Sequence, residues 1–245
     1  MPLQEEFEFH GSFLFRYRGV LPIAILVLAI LAFIPTAMAE PKQIKLTNEV
    51  YSYCCLFITL IGLAIRIFTV GYSAQNTSGR NTKSQIADDI NTTGIYSIVR
   101  HPLYLGNFFM WLGIALLTES PWFVLAFIFI YWVYYERIMF AEEQFLRKKF
   151  DLSYIVWATY TPAFIPNFRL YKPPVQKFSF KKVIRQEKTG LLLTFLLFFL
   201  FDEIKSVVSN KKLFVKLDFW FYAFIVALAA YVIIKLMQKK TKLMN

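Results

Sequence analysis

The sequence predicts an all-α, polytopic helical membrane protein with about six transmembrane segments, a short helical hairpin among them. Three observations predict it. Of the 245 residues, 57% are hydrophobic, against about 45–50% in ordinary soluble domains. The mean hydropathy is +0.48 and Phe occurs 27 times. The apolar residues gather into runs of membrane length, separated by stretches rich in Lys and Arg. The formal net charge of +11 fits a chain that collects cations on the cytoplasmic side of a bilayer and draws anionic headgroups there. It does not indicate nucleic-acid binding.

Each segment follows in order. Residues 1–19 are a polar, aromatic-rich leader with Glu5, Glu6, Glu8, Arg16 and Arg18. Residues 20–39 form the first span, since about 20 apolar residues cross the hydrocarbon core. Pro22 and Pro35 lie near its ends, where proline is tolerated. Arg16, Arg18, the apolar run and Ala37-Met38-Ala39 resemble a signal peptide with a small-residue cleavage site. The leader is long and carries three glutamates, so an uncleaved first helix is expected. Residues 50–72 are the second span, with the adjacent Cys54 and Cys55 inside it. Adjacent cysteines rarely meet disulfide geometry, so both are expected free. Arg66 lies about two turns from the cytoplasmic end of that span and is expected to snorkel to the interface.

A polar loop at 73–91 holds Gly79, Arg80, Lys83, Asp88 and Asp89. Apolar residues 103–118, the turn Glu119-Ser120-Pro121 and apolar residues 122–140 read as a helical hairpin. Residues 136–150 continue its second arm, with Ile138, Met139, Phe145, Leu146 and Phe150 in one stripe of helical period. Residues 151–169 carry Tyr154, Trp157, Tyr160, Pro162 and Pro166, and proline stops regular helix there. Residues 170–188 are a basic connector, 190–201 a short dense apolar core, and 217–236 the last span, followed by Lys239, Lys240 and Lys242. If the leader, the loop around Arg100, residues 136–188 and the C-terminus share a side, that side holds 20 of the 27 Lys and Arg; Lys42, Lys45, Lys205, Lys211, Lys212 and Lys216 face the other. The positive-inside rule then places both termini, that loop and Glu142-Glu143 in the cytoplasm.

The chemistry concentrates in residues 92–106, Thr-Thr-Gly-Ile-Tyr-Ser-Ile-Val-Arg-His-Pro-Leu-Tyr-Leu-Gly, together with Glu142-Glu143. Arg, Tyr and His at a helix end serve either as an interfacial belt or as a polar ligand site at the mouth of a bundle. Gly-rich phosphate loops, zinc-protease spacings and nucleophile elbows are absent from the sequence. His10 and His101 are the only histidines, which excludes a multi-histidine metal site. Arg and His can hold a carboxylate, Glu an ammonium, and Tyr faces a soft cation. S-adenosylmethionine carries all three groups, as do other zwitterions in part.

The combined pattern Gly94-x-Tyr96-x3-Arg100-His101-Pro102-x-Tyr104-x-Gly106, Glu142-Glu143-x2-Leu146-x3-Phe150-x3-Tyr154, then Pro162-x3-Pro166, resembles the integral-membrane methyltransferases, the isoprenylcysteine carboxyl methyltransferase and phospholipid methyltransferase superfamily. The resemblance covers about residues 75–168. It implies a helical bundle whose cytosolic face closes over S-adenosylmethionine, with Tyr96, Arg100, His101, Pro102, Tyr104, Gly106, Glu142 and Glu143 binding that cofactor. The catalytic candidates are Arg100, Glu142 and Tyr104, no metal is implied, and the methyl acceptor is a membrane lipid or other amphiphile entering from the bilayer. Two positions depart from the family: Asp151 stands where it usually has Gly, and Trp157 where a second tyrosine is common. The expected organisation is N-terminal transmembrane helices at 1–74, a methyltransferase core at 75–168, and a basic connector with C-terminal helices at 169–245. The alternatives are an NADPH-dependent reductase of the sterol type and a non-catalytic membrane scaffold.

Overall fold

A computed structural model of the chain describes residues 2–39, 45–74, 85, 87–210 and 215–240. Gly79, Arg80, Lys83, Lys42, Lys211, Lys212 and Lys242 lie outside the described residues. Among the described residues there are seven α-helices and no strand: α1 (Leu3–Arg16), α2 (Leu21–Ala39), α3 (Lys45–Tyr72), α4 (Pro102–Leu116), α5 (Pro121–Tyr160), α6 (Phe180–Asn210) and α7 (Phe219–Lys240). Three are long and apolar enough to cross a membrane, at Glu49–Tyr72, Pro121–Tyr160 and Phe219–Lys239; Pro22–Met38 and Pro102–Leu116 are shorter apolar helices. With the apolar stretch 190–201 of α6, these make six apolar helical stretches. The protein is an integral membrane protein.

The hairpin forms as the sequence expects. Pro102 and Pro121 open α4 and α5 at their first turns, where the missing N–H costs nothing. The Ser120 side chain accepts from the Phe123 amide at 3.4 Å and caps α5. The connecting ends gather at one pole of the bundle. There Tyr51 donates to the Leu116 carbonyl at 2.7 Å, Thr36 to the Thr118 carbonyl at 3.0 Å, and Lys205 pairs with Glu119 at 2.9 Å. At the opposite pole the Ser179 amide donates to the Gly71 carbonyl at 2.9 Å, and Lys182 Nζ donates to the carbonyls of Ser73 and Ala74 at 3.0 and 2.9 Å.

Helices α3 and α4 cross at backbone contact. A Cβ at Gly62 would meet the Gly106 carbonyl oxygen at 2.4 Å, and one at Gly106 would meet the Gly62 oxygen at 2.9 Å. Small residues at such crossings let helices approach in a bilayer, where dispersion rather than the hydrophobic effect drives packing. One core cluster joins α2, α4, α6 and α7 through Phe33, Ile114, Phe198, Phe201 and Trp220. A second joins α1, α4 and α5 through Phe15, Tyr104, Phe127, Tyr131, Tyr135 and Ile138.

Four expectations change. The leader is the helix α1, which buries Gly11 and Phe15, with Tyr134 of α5 donating to the Leu14 carbonyl at 3.2 Å. Its glutamates are confined to one helix with an apolar side, which composition alone hid. Helix α5 runs on to Tyr160 rather than stopping near residue 150, with a kink at Asp151 (φ 44°, ψ −123°). The prolines end it only at Pro162. Helix α6 begins at Phe180, so the connector is shorter than 170–188. Arg66 does not snorkel: Glu187 of α6 takes its guanidinium bidentately, at 2.8 Å for each bond. Cys54 and Cys55 are both free.

Candidate active site

The loop before α4 is shaped by Gly94, whose φ of +62° suits a residue without Cβ. Its amide donates to the Lys172 carbonyl at 2.9 Å, and the Lys172 amide returns to Ser97 Oγ at 2.9 Å. Further along, the amides of Arg100 and His101 donate to the carbonyls of Pro162 and Ala163 at 2.9 and 3.2 Å, and the Asn167 amide to that of Ile98 at 2.9 Å. The proline-punctuated segment after α5 therefore lies along the motif loop and supplies its backbone partners. Phe164 packs on Ile98, Val99 and Leu105 beneath it. Backbone bonds of this kind answer the accounting that buried amides require.

This scaffold holds Arg100 and His101 against the middle of α5. The His101 ring places Nε2 2.9 Å from Glu143 Oε1 and Nδ1 3.6 Å from Glu142 Oε2. Tyr104 donates its hydroxyl to Glu142 Oε1 at 2.8 Å. Arg100 Nε lies 3.1 Å from Glu143 Oε1, while Arg100 Nη1 donates to the Ala158 carbonyl at 2.8 Å. Burial alone would lower the His101 pKa, but hydrogen bonds to Glu142 and Glu143 and their charges outweigh it, so the value is raised above the ordinary 6.5. Burial pushes the Tyr96 phenol up, the Glu142 charge adds to this, and Arg66 opposes it.

Of the residues singled out in the sequence, Arg100, His101, Tyr104, Glu142 and Glu143 meet in one cluster. Tyr96 stands beside it, within the field of Glu142. Pro102 is buried at the first turn of α4. Gly106 lies instead in the α3–α4 crossing, where its added Cβ would meet Arg66 Cγ at 2.6 Å. Three residues escaped the sequence reading as partners: Asn107, whose Oδ1 accepts from Arg66 at 2.5 Å, Glu187, and Tyr154, buried beside Glu143. The signal for the first two was Arg66 itself, because an ionisable group at membrane depth needs a partner.

Next to the cluster an open groove of about 780 Å³ is lined by Arg100, Tyr160, Thr161, Phe168 and Arg169, among others. That volume is within the usual range for small-molecule sites. The Trp157 indole N–H is buried without a hydrogen-bond partner among the described residues, its ring 5.7 Å from that of Tyr154. No group of three or more His, Cys, Asp or Glu among the described residues is placed to hold a metal ion.

Residues 53–153 match the family model of the phospholipid methyltransferases. This segment is similar to the integral-membrane methyltransferase superfamily. The chain is 33% identical over 119 residues to the cobalt-zinc-cadmium resistance protein CzcN of Cupriavidus metallidurans, covering 48% of this chain and 52% of that protein. It is 32% identical over 114 residues to the protein-S-isoprenylcysteine O-methyltransferase of Saccharomyces cerevisiae, covering 46% and 47%. The corresponding enzyme of Schizosaccharomyces pombe is 30% identical over 120 residues, covering 48% and 50%. The chain thus spans about half the length of the curated relatives it matches. No solved structure matches it. The matched segment starts within α3 and ends just past the α5 kink, so α1, α2, α6 and α7 lie outside it.

Proposed function

We propose that the chain is an S-adenosylmethionine-dependent methyltransferase acting on a membrane-embedded amphiphile, with its site facing the cytoplasm. The observation that carries this reading is His101 held between the two adjacent carboxylates of Glu142 and Glu143, with Tyr104 on one and Arg100 near the other. The residues fit the cofactor's groups. Arg100 and Arg169 in the groove suit its carboxylate, and Tyr160 and Phe168 offer aromatic faces to an adenine. Glu142 and Glu143 suit its ammonium and sulfonium cations, and the unpartnered Trp157 N–H offers a donor. In this reading Tyr96, His101, Pro102, Tyr104 and Gly106 complete or support the binding site, as the superfamily pattern implies.

Bound there, S-adenosylmethionine supplies an already activated methyl group. The chain's own task is positioning and exclusion of water. The bonds from His101 and Tyr104 fix the carboxylates, and the Pro162–Asn167 backbone fixes Arg100. A phosphate or carboxylate acceptor is already anionic at neutral pH. An amine acceptor must first lose a proton, for which Glu142 is the candidate base. The names of the yeast relatives support a prenylcysteine carboxylate, and that of the matched family a phospholipid headgroup.

The test is calorimetric titration of the purified, detergent-solubilised chain with S-adenosylhomocysteine, and with NADPH in parallel. Saturable binding of the first alone is the expected result. Binding of NADPH alone would move the protein to the reductases, and binding of neither to folded protein would leave a scaffold.

A further inference from the structure

The bundle holds a second polar cluster deep between α3, α4 and α6. Arg66 Nε and Nη2 donate to the two oxygens of Glu187 at 2.8 Å each, and Arg66 Nη1 to Asn107 Oδ1 at 2.5 Å. Glu187 is only 4% exposed. Asn107 in turn lies beside the Tyr135 hydroxyl. The Tyr135 ring lies 4.9 Å from the Tyr104 ring, and Tyr104 holds Glu142. Tyr131 closes the set, stacked 4.2 Å from Tyr135 and donating to the Tyr104 carbonyl at 2.7 Å. Polar contacts and packed rings thus run without a break from Glu187 to the site carboxylate. Glu187 comes from α6, outside the superfamily segment 53–153.

A buried ion pair is weak evidence for stability, because desolvation offsets the attraction. At membrane depth it signals function first. Electrostatics supplies one here. Arg66 stands close enough to the site for its charge to act on the Tyr96 phenol, as that of Glu142 does. Left unpaired, its guanidinium would oppose any cation bound at Glu142 and Glu143, in surroundings that screen poorly.

We propose that Glu187 is a positioning residue of the site: it cancels the Arg66 charge, so that the guanidinium orients Asn107 and Tyr135 without repelling a cationic ligand at Glu142 and Glu143. This rests on the cofactor reading above, in which that ligand is a sulfonium. S-adenosylmethionine and S-adenosylhomocysteine differ at sulfur by one positive charge and one methyl group. The ratio of their affinities therefore reads the local charge, whereas a loss of packing weakens both alike.

The experiment is titration of both compounds into the full chain in detergent, for wild type, Glu187→Gln, Arg66→Gln and the double variant. Glu187→Gln is expected to shift the ratio against S-adenosylmethionine by about tenfold, the scale of one unpaired charge across a partly screened site. Arg66→Gln is expected to shift it the other way, and the double variant to restore it to within about twofold of wild type. Should Glu187→Gln fail to fold, the opposite-signed shift in Arg66→Gln and the restored ratio in the double variant still decide the matter. Equal weakening of both ligands in every variant, or unchanged ratios, would overturn the role of Glu187 alone. Failure of wild type to bind either compound would overturn the cofactor reading instead.

Discussion

Tyr104 donates its hydroxyl to Glu142 Oε1 at 2.8 Å, and this bond ties the first turn of α4 to the middle of α5. The tyrosine is buried, and the Glu142 side chain is about a quarter exposed. Charge-assisted bonds of this kind contribute about 1.5–3 kcal/mol. Tyr104→Phe keeps the ring contact with Tyr135 and removes only the hydroxyl. It is expected to weaken S-adenosylhomocysteine binding by roughly tenfold or more with a melting temperature within a few degrees of wild type. Undiminished affinity in a folded Tyr104→Phe protein would remove Tyr104 from the site.

His101 makes the cluster sensitive to pH. Its pKa is raised in the folded protein, because bonds and charges from Glu142 and Glu143 outweigh burial. A raised value means the folded state holds the proton more tightly than the unfolded one. The resulting stabilisation is complete below about pH 6.5, the ordinary imidazole value, and is lost as pH rises through the raised value. Thermal melting of wild type and His101→Asn between about pH 6 and 9 tests this. The gap in melting temperature is expected to be widest at the acid end and to narrow towards alkaline pH. A gap constant across the range would show that the imidazole is not charged in the fold.

The spans and the motif were legible because each rests on local chemistry. Runs of about 20 apolar residues announce themselves, and Arg100-His101-Pro102-x-Tyr104 with Glu142-Glu143 carries its partners' types in the sequence. What stayed hidden depends on pairings across the fold. Arg66 and Glu187 stand 121 residues apart, and Glu187 sits among six cations in what reads as a solvated connector. Leader residues 3–16 form a helix because α5 offers Tyr134 and an apolar face, and their composition alone points to a polar tail. The run of Pro162–Asn167 along the motif loop is made of backbone bonds, to which side-chain patterns give no clue.

The α3–α4 crossing yields a prediction free of site chemistry. A methyl group at Gly62 would press on the Gly106 carbonyl and the Met110 amide at 2.4 and 2.5 Å, both backbone atoms unable to rotate away. Gly62→Ala must therefore part the helices, at a cost of about 1–3 kcal/mol, or roughly 2–4 °C of melting temperature per kcal/mol. Gly19 is the control, since a Cβ there meets nothing within 4 Å and Gly19→Ala is expected to be neutral or slightly stabilising. Equal melting of the two variants would contradict the close crossing.

Asp151 carries the remaining prediction. It departs from the family pattern, in which Gly usually follows the phenylalanine, and its φ of 44° with ψ of −123° interrupts α5. A side chain in that region strains against its own backbone by about 1–3 kcal/mol, and glycine does not. The kink has a purpose in the architecture: beyond it α5 turns Tyr154 towards Glu143 and brings the Ala158 carbonyl to Arg100. The geometry therefore demands the turn, and the aspartate bears the strain. Asp151→Gly is expected to raise stability by about 1 kcal/mol, the relief exceeding the entropy lost by a more flexible residue. Asp151→Ala, which keeps a Cβ, is expected to give no such gain. The measurement is melting of the three proteins in one detergent. A destabilised Asp151→Gly would show that the carboxylate at this bend stabilises the fold by more than the strain costs it.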